Sequence, residues 1–264
     1  MCISRPVGKG VRGNDRIDVK TIQILININI GKITPYSPLK VDGLIGRATY
    51  AAIGEFQSRV VKMTKPDQRV DPNGATLKKL REGIPSTLTI DVLQGIMPNA
   101  TTNNLSLYHP HLVKKMKDRK INTPLRQAHF LAQIAHESGS LRYSKEIASG
   151  EAYESRADLG NTESGDGKRF KGRGLIQLTG RANYKKYGDN IGIELTENNN
   201  WETVATSAER AVDVACWFWS IKDLNALVDK DDLRKITRRI NGGYNGLEDR
   251  RKYLIRAKFF LGVN

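Results

Sequence analysis

The sequence predicts a mainly α-helical chain, a small helical N-terminal part followed by a larger one. Three observations carry this expectation. The stretch TPLRQAHFLAQIAHESG (123–139) has both helix ends marked: Thr123 can cap the first turn, Pro124 stands where a missing N–H costs nothing, and Gly139 can take the left-handed conformation that closes helices. Ala48, Ala52, Phe56 and Val60 follow one another at i+4 steps, joined by Ile53. REGIPST (81–87) interrupts the chain between the two parts through Gly83 and Pro85.

Taken in order, residues 1–17 are rich in Gly and Arg and are expected to be mobile. In DVKTIQILININIG, isoleucines at 22, 24, 26, 28 and 30 alternate, which taken alone is a strand signal. Asp42-Gly43 and Gly46 supply turn chemistry ahead of the 48–60 helix, and a shorter helix with Ala75, Leu77 and Leu80 follows DPNG. Past the break, TIDVLQGIMPNAT opens the larger part with a short helix. LSLYHPHLVKKMKDRKI reads as another, with Leu112, Val113 and Met116 facing in and its lysines out. The 123–137 helix is apolar almost all round through Leu125, Ala128, Leu131, Ala132, Ile134 and Ala135, so it should be buried. AVDVACWFWSI is apolar throughout, which weighs Trp217 and Trp219 toward a core rather than a sugar platform.

Over 264 residues, 39% hydrophobic and 27% charged composition describes a soluble globular protein. The net charge of +15 is spread along the chain and would attract polyanions: nucleic acid, an anionic membrane or an acidic bacterial envelope. Charge alone does not choose among them. With only Cys2 and Cys216, no structural disulfide is expected, and synthesis in a reducing compartment is implied. The first residues contain no apolar leader core, and TIQILININI is too short to span a bilayer.

Glu137 falls in the last turn of its helix, in line with Phe130 and Ile134. The helix dipole and desolvation there both disfavour the ionised form, as a general acid working near neutral pH requires. His136-Glu137 opens like the zinc motif H-E-x-x-H, but Ser140 stands where the second histidine belongs. No metal and no cofactor are implied.

Four blocks in order, AHES (135–138), GRGLIQLTGRANY (172–184), CWFWS (216–220) and RINGGYNG (239–246), resemble glycoside hydrolase family 19, the chitinase and phage-endolysin branch of the lysozyme-like superfamily. The resemblance covers most of residues 88–264 and implies a larger, lysozyme-like, mostly helical catalytic domain. Such enzymes set an acid and a base across a sugar bond, with carboxyl groups about 6.5–9.5 Å apart for inversion. Glu137 matches the acid. For the base the chain offers Glu146, Glu151, Glu154 and Glu163, and the spacing of phage members selects Glu146. Thr179 matches the hydroxyl that helps hold the attacking water. Gln177, Asn183, Tyr184 and Asn241 match positions lining the sugar cleft. Gly172 and Gly174 either let backbone approach the substrate or make a tight turn.

The pattern VK.IQ…VDG.IG..T..A...FQ resembles the small three-helix-bundle domain that binds peptidoglycan in many cell-wall hydrolases. On that resemblance residues 19–29 read as a helix against their alternation, and Asp42, Gly43, Gly46, Phe56 and Gln57 form the binding motif. The other reading of DG-x-x-G is a turn between two core helices. The organisation expected is a peptidoglycan-binding domain over 1–82, a linker at 83–87 and a catalytic domain over 88–264. Together the resemblances imply an endolysin that cuts the β-1,4 bond between N-acetylmuramic acid and N-acetylglucosamine. A family 19 chitinase and a non-catalytic wall-binding protein are the rivals. The expected partners are peptidoglycan and an anionic outer-membrane surface, with no nucleic acid, and the expected state is a monomer. Retention in the host bacterial cytoplasm until the membrane is opened is expected, followed by action on the periplasmic cell wall.

Overall fold

The computed structural model describes residues 2–263, which form two compact units: residues up to Asn99 together with those from Leu254, and Ala100–Tyr253. The chain is mainly helical, as expected.

In the first unit β1 (Val7–Gly8) precedes α1 (Arg16–Ile28) and α2 (Arg47–Phe56), and β2 (Arg69–Val70) precedes α3 (Ala75–Arg81) and α4 (Ile90–Ile96). Asp15 starts α1 by accepting from the N–H groups of Ile17 and Asp18. Every residue from Thr21 to Ile26 is buried. A helix enclosed on all sides has no polar face to betray its period, so alternating isoleucines fit it as well as they fit a strand. The helix read from the resemblance is therefore the one found. The last turn after α2, Gln57–Val61, widens into a π-helical turn.

The N-terminal stretch is not the mobile tail expected. Ile3 and Val7 are fully buried, and the Asp18 carboxylate accepts from Ser4 N, Ser4 Oγ and Arg5 N at 2.9–3.0 Å. β1 pairs antiparallel with β2, Val7 opposite Val70 and Gly8 opposite Arg69. Gly8 sits at φ +132°, and a Cβ there would lie 2.2 Å from the Gln68 carbonyl oxygen. The buried side chains of Cys2, Ile3 and Val7 and one buried carboxylate outweigh the Gly- and Arg-rich composition. The expected linker at 83–87 lies inside this unit, because α4 packs on α1 and the Arg256 guanidinium donates to Gly95 O and Thr21 Oγ1.

The second unit carries α5 (Thr102–Asp118), α6 (Pro124–Glu137), α7 (Asp166–Arg169), α8 (Arg181–Ile191), α9 (Thr203–Thr206), α10 (Ala208–Ile221), α11 (Leu224–Val228) and α12 (Leu233–Asn241). The start of α13 (Leu247–Phe260) also belongs to it. Helix α10 is its axis. Ala211 to Trp217 are buried in succession, α5 lies along it, and Trp219 meets Phe130 of α6 edge-on at 5.3 Å. Both tryptophans thus belong to the core, and burial of a large side chain of this kind stabilises by about 1.5–3 kcal/mol. On α5 the inward stripe is Leu105, Tyr108, Leu112 and Met116, whereas Val113, expected inward, falls a third of a turn away and is 43% exposed. A second cluster of Phe170, Leu178, Tyr184, Tyr187, Val204 and Trp217 anchors the long loop segment before α8.

Candidate active site

Glu137 ends α6, which begins as expected: Thr123 Oγ1 accepts from Arg126 N at 3.2 Å and Pro124 takes the first helical position. The helix stops because Gly139, Ser140 and Leu141 all turn left-handed, with φ of 58–65°. Ser138 Oγ accepts from Leu141 N at 2.9 Å and fixes that turn. From α13, Arg250 reaches Glu137 Oε1 at 2.5 Å and also donates to the Gln133 carboxamide oxygen one turn earlier on α6. The Arg250 side chain is 1% exposed and that of Glu137 19%. Helix-end reasoning did not include this buried cation of opposite sign. Beside it, His136 Nδ1 and Asp249 Oδ2 lie 2.7 Å apart, and the His136 ring covers Gly246 so closely that a Cβ there would be 2.2 Å away.

Glu146 stands on the loop after α6 among short bridges that pair Lys145 with Arg173 and Arg173 with Leu178. Its backbone N–H donates to Gly172 O at 2.9 Å. Gly172 N donates back to Glu146 Oε2 at 2.9 Å, and the Tyr153 hydroxyl donates to Oε1 at 3.0 Å. Burial, and then the adjoining Glu146 carboxylate, push the Tyr153 phenol above its ordinary range. A Cβ on Gly172 would meet Gln177 Oε1 at 2.7 Å and Glu146 Oε2 at 3.1 Å. Gly172 is therefore the place where the Glu146 and Gln177 side chains converge, a packing requirement that neither reading of it from sequence contained.

Gln177 holds a left-handed backbone at φ 56°, rare for a residue with a side chain, and its Nε2 donates to Gly174 O at 2.9 Å. Thr179 Oγ1 donates to Gln177 O at 2.9 Å, which leaves its lone pairs free to accept. Asn183 Nδ2 donates to Thr179 O at 2.7 Å. Together Gln177, Thr179 and Asn183 form one chain of contacts. Tyr184 does not line a cleft: it is 0% exposed, donates to Lys171 O at 2.8 Å and accepts from Arg173 at 3.1 Å. It and Arg173, itself paired with Glu202, hold the loop from beneath. Asn241 is exposed at the end of α12.

Among the other glutamates, Glu154 is committed to the N–H groups of Gly165 and Gly167 at 2.7 and 2.8 Å. Glu151 and Glu163 sit in surface pairs with Lys168 and Arg181. Tyr153, Arg173, Arg250 and Gln133 are the residues that sequence reasoning missed. Nothing local marks Arg250, which meets Glu137 across 113 positions. Tyr153 stands close enough to Glu146 in sequence for a hydroxyl-to-carboxylate bond to have been considered. Among the described residues no group of three or more His, Cys, Asp or Glu is arranged to hold a metal ion. Cys2 and Cys216 are buried free thiols, and among the described residues no helix is long and apolar enough to cross a membrane.

In the first unit, the DG-x-x-G stretch is a turn locked to α1. Asp42 Oδ1 accepts from Leu44 N at 2.9 Å and Gln23 Nε2 at 3.1 Å, and both bonds hold its carboxyl below the usual range. Gly43 N donates to Gln23 Oε1 at 3.0 Å, at φ +75°. Asp42 and Gly46 line a cleft of about 270 Å³ with Lys40, Leu44 and Arg47. Phe56 and Gln57 do not reach it. Phe56 is 0% and Gln57 1% exposed, and Gln57 bonds Asp67, Gln68, Arg69 and Thr76 inside the unit.

A helical unit with one carboxylate at a helix end, a second oriented by neutral donors and a carboxamide beside the second has the equipment of an acid–base glycosidase. Residues 125–229 match the family model described as chitinase class I. A glycosyl hydrolase family 19 domain-containing protein of Haemophilus influenzae is 33% identical over 159 residues, covering 48% of this chain and 76% of that one. An endochitinase of Arabidopsis thaliana is 37% identical over 116 residues, 44% of this chain and 38% of its own length. Chitinase C from Streptomyces griseus superposes with a TM-score of 0.56 at 24% identity, over 67% of this chain and 77% of that one. A class IV chitinase from Zea mays also gives 0.56, at 23% identity, over 67% of this chain and 94% of that one. The chain belongs to glycoside hydrolase family 19, and it is a glycosidase.

Proposed function

We propose that this enzyme is an endolysin that grips peptidoglycan through its first unit and hydrolyses the β-1,4 bond between N-acetylmuramic acid and N-acetylglucosamine through its second. Glu137 donates a proton to the leaving oxygen. Glu146 takes one from the attacking water, which Thr179 Oγ1 and the Gln177 carboxamide help to hold. Water adds from the face opposite the leaving group, so the anomeric configuration inverts.

The observation that carries the acid–base assignment is the contrast in partners: Glu146 is oriented by Tyr153 and Gly172 N, while the rival glutamates are committed to loop or surface bonds. Support for peptidoglycan over chitin comes from the first unit, whose turn at Asp42–Gly46 frames an open cleft flanked by Lys40 and Arg47. That cleft suits a polymer carrying acidic stem peptides better than neutral chitin. We further propose that the enzyme waits in the cytoplasm of the producing cell until the membrane is opened.

Mass spectrometry of fragments released from purified peptidoglycan, run beside chitin, tests the reading. New reducing ends on N-acetylmuramic acid, with chitin cut more slowly, are expected. Efficient cutting of chitin with intact peptidoglycan would make this a chitinase. Binding to walls without any new reducing end would make it a non-catalytic wall protein.

A further inference from the structure

Helix α12, LRKITRRIN, divides its charge sharply around its axis. Leu233, Ile236 and Thr237 are buried on one side. Arg234, Lys235, Arg238 and Arg239 are all exposed. At 100° per residue these four cations fill a sector of about 140° centred opposite the buried stripe. Arg234 and Arg238 stand at i,i+4, as do Lys235 and Arg239, and like charges at that spacing repel. Carboxylates offset only the Lys235 edge of the sector, and Arg234, Arg238 and Arg239 have no ion pair among the described residues. Asp229 is turned to Arg126, Asp231 to His129, and Asp232 caps α12 while pairing with Lys235. An external anion bound to this face would relieve that repulsion.

The surroundings say what kind of anion. Arg239 donates to Lys222 O at 3.1 Å, which joins the sector to the end of α10, where Ile221 is 53% exposed. At the other side the Arg234 guanidinium lies 4.6 Å from the centre of the Tyr244 ring, itself 46% exposed. Cations flanked by an aliphatic and an amphipathic aromatic tip are the composition of a surface that lies in a lipid headgroup layer, with cations on the phosphates and apolar tips toward the acyl chains. A nucleic-acid backbone would match the charge but has no use for the apolar flank.

We propose that the outer face of α12, with Ile221 and Tyr244 at its margins, docks on an anionic phospholipid surface. The proposal uses neither carboxylate and does not depend on which glycan the enzyme cuts. Co-sedimentation with vesicles of equal parts phosphatidylglycerol and phosphatidylcholine, against vesicles of phosphatidylcholine alone, tests it in the full-length protein. Binding to the anionic vesicles only is expected. The triple variant Lys235→Gln, Arg238→Gln, Arg239→Gln should weaken it about 10²-fold, from the usual contribution of each cation near a charged bilayer. Its circular dichroism and its turnover of soluble oligosaccharide should not change. A charge-matched control, Lys114→Gln, Lys117→Gln, Lys186→Gln, should lose much less. Equal loss in the control would overturn the proposal in favour of net charge. Equal binding to neutral vesicles would also overturn it. So would a wild-type protein that ignores both vesicles yet binds duplex DNA through the same three residues.

Discussion

The end of α6 and the loop from Lys145 to Gly180 each present a carboxylate, but they hold it by opposite means. Glu137 stands on a rigid helix and is fixed by a buried guanidinium 113 residues away in sequence. Glu146 stands on a loop and is fixed by two uncharged donors, a phenol 7 residues on and a backbone N–H 26 residues on. A carboxylate tied to a buried cation is part of the fold's electrostatics, so loss of its partner strands a charge. A carboxylate held by neutral donors can be released at the cost of a hydrogen bond. The residue proposed as the acid thus belongs to a structural pair, and the residue proposed as the base is an adjustable group that can move to meet a water.

The comparison breaks first at the carboxylates. Glu137→Gln and Glu146→Gln should each lower turnover at least about 10²-fold, the usual worth of general acid–base catalysis. Thermal unfolding should change little in Glu146→Gln, whereas Glu137→Gln leaves the buried Arg250 cation uncompensated and should unfold at a lower temperature. Near-normal activity in Glu146→Gln would move the base to Glu151, Glu154 or Glu163.

The supports should then separate. Arg250→Ala breaks a buried pair and should cost about 3–5 kcal/mol of stability. Tyr153→Phe removes one bond to a partly exposed carboxylate and should cost about 1–2 kcal/mol. Urea denaturation of both variants measures the difference, and equal losses would erase the distinction between the two carboxylates. Smaller still in stability, but not in rate, is Gly172→Ala. Its new methyl group would lie 2.7 Å from Gln177 Oε1 and 3.1 Å from Glu146 Oε2, both flexible side-chain ends that can shift. Turnover should fall about 10–10²-fold through misplacement while the fold survives. Unchanged kinetics would show that Gln177 and Glu146 need no fixed geometry.

Much of the candidate site's local structure was legible where backbone chemistry decides it. Thr123, Pro124 and Gly139 mark a helix by backbone chemistry alone, so Glu137 could be placed in its last turn before any contact was known. Part of the GRGLIQLTG segment is likewise held locally, as in the bonds from Thr179 to Gln177 and from Gln177 to Gly174. Arg250 and Arg173 were not legible. Each acts through a partner far along the chain, and an arginine in a basic sequence carries no local sign that it is buried. Tyr184 misled for a related reason: a motif fixes where a residue stands, not whether its side chain faces solvent. The N-terminal stretch was misread because composition averages over the few apolar side chains, Ile3 and Val7, that decide whether a segment is held.

A pH effect on stability should accompany the second loop's supports. For Glu202, burial pushes the carboxyl up, but bonds from Arg173 and then Lys145 outweigh it and hold it below the ordinary range. Asp166 follows the same pattern: burial is outweighed by Arg181 and the backbone N–H of Glu163. A folded carboxyl with a lowered pKa contributes stability that is complete above the unfolded value, about 4, and is lost as pH falls through the lower folded value. The melting temperature should therefore drop below about pH 4, and Glu202→Gln should flatten that drop. An identical acid slope in the variant would mean that other groups control it.

The most direct test of the two-carboxylate account is the configuration of the first product. Proton NMR recorded within the first turnovers on a β-1,4-linked N-acetylated oligosaccharide should show the α-anomer at the new reducing end, before mutarotation, and Glu137→Gln and Glu146→Gln should each suppress that signal. A β-anomer in the wild-type reaction would contradict the account, since it requires a covalent intermediate where we place a water activated by Glu146.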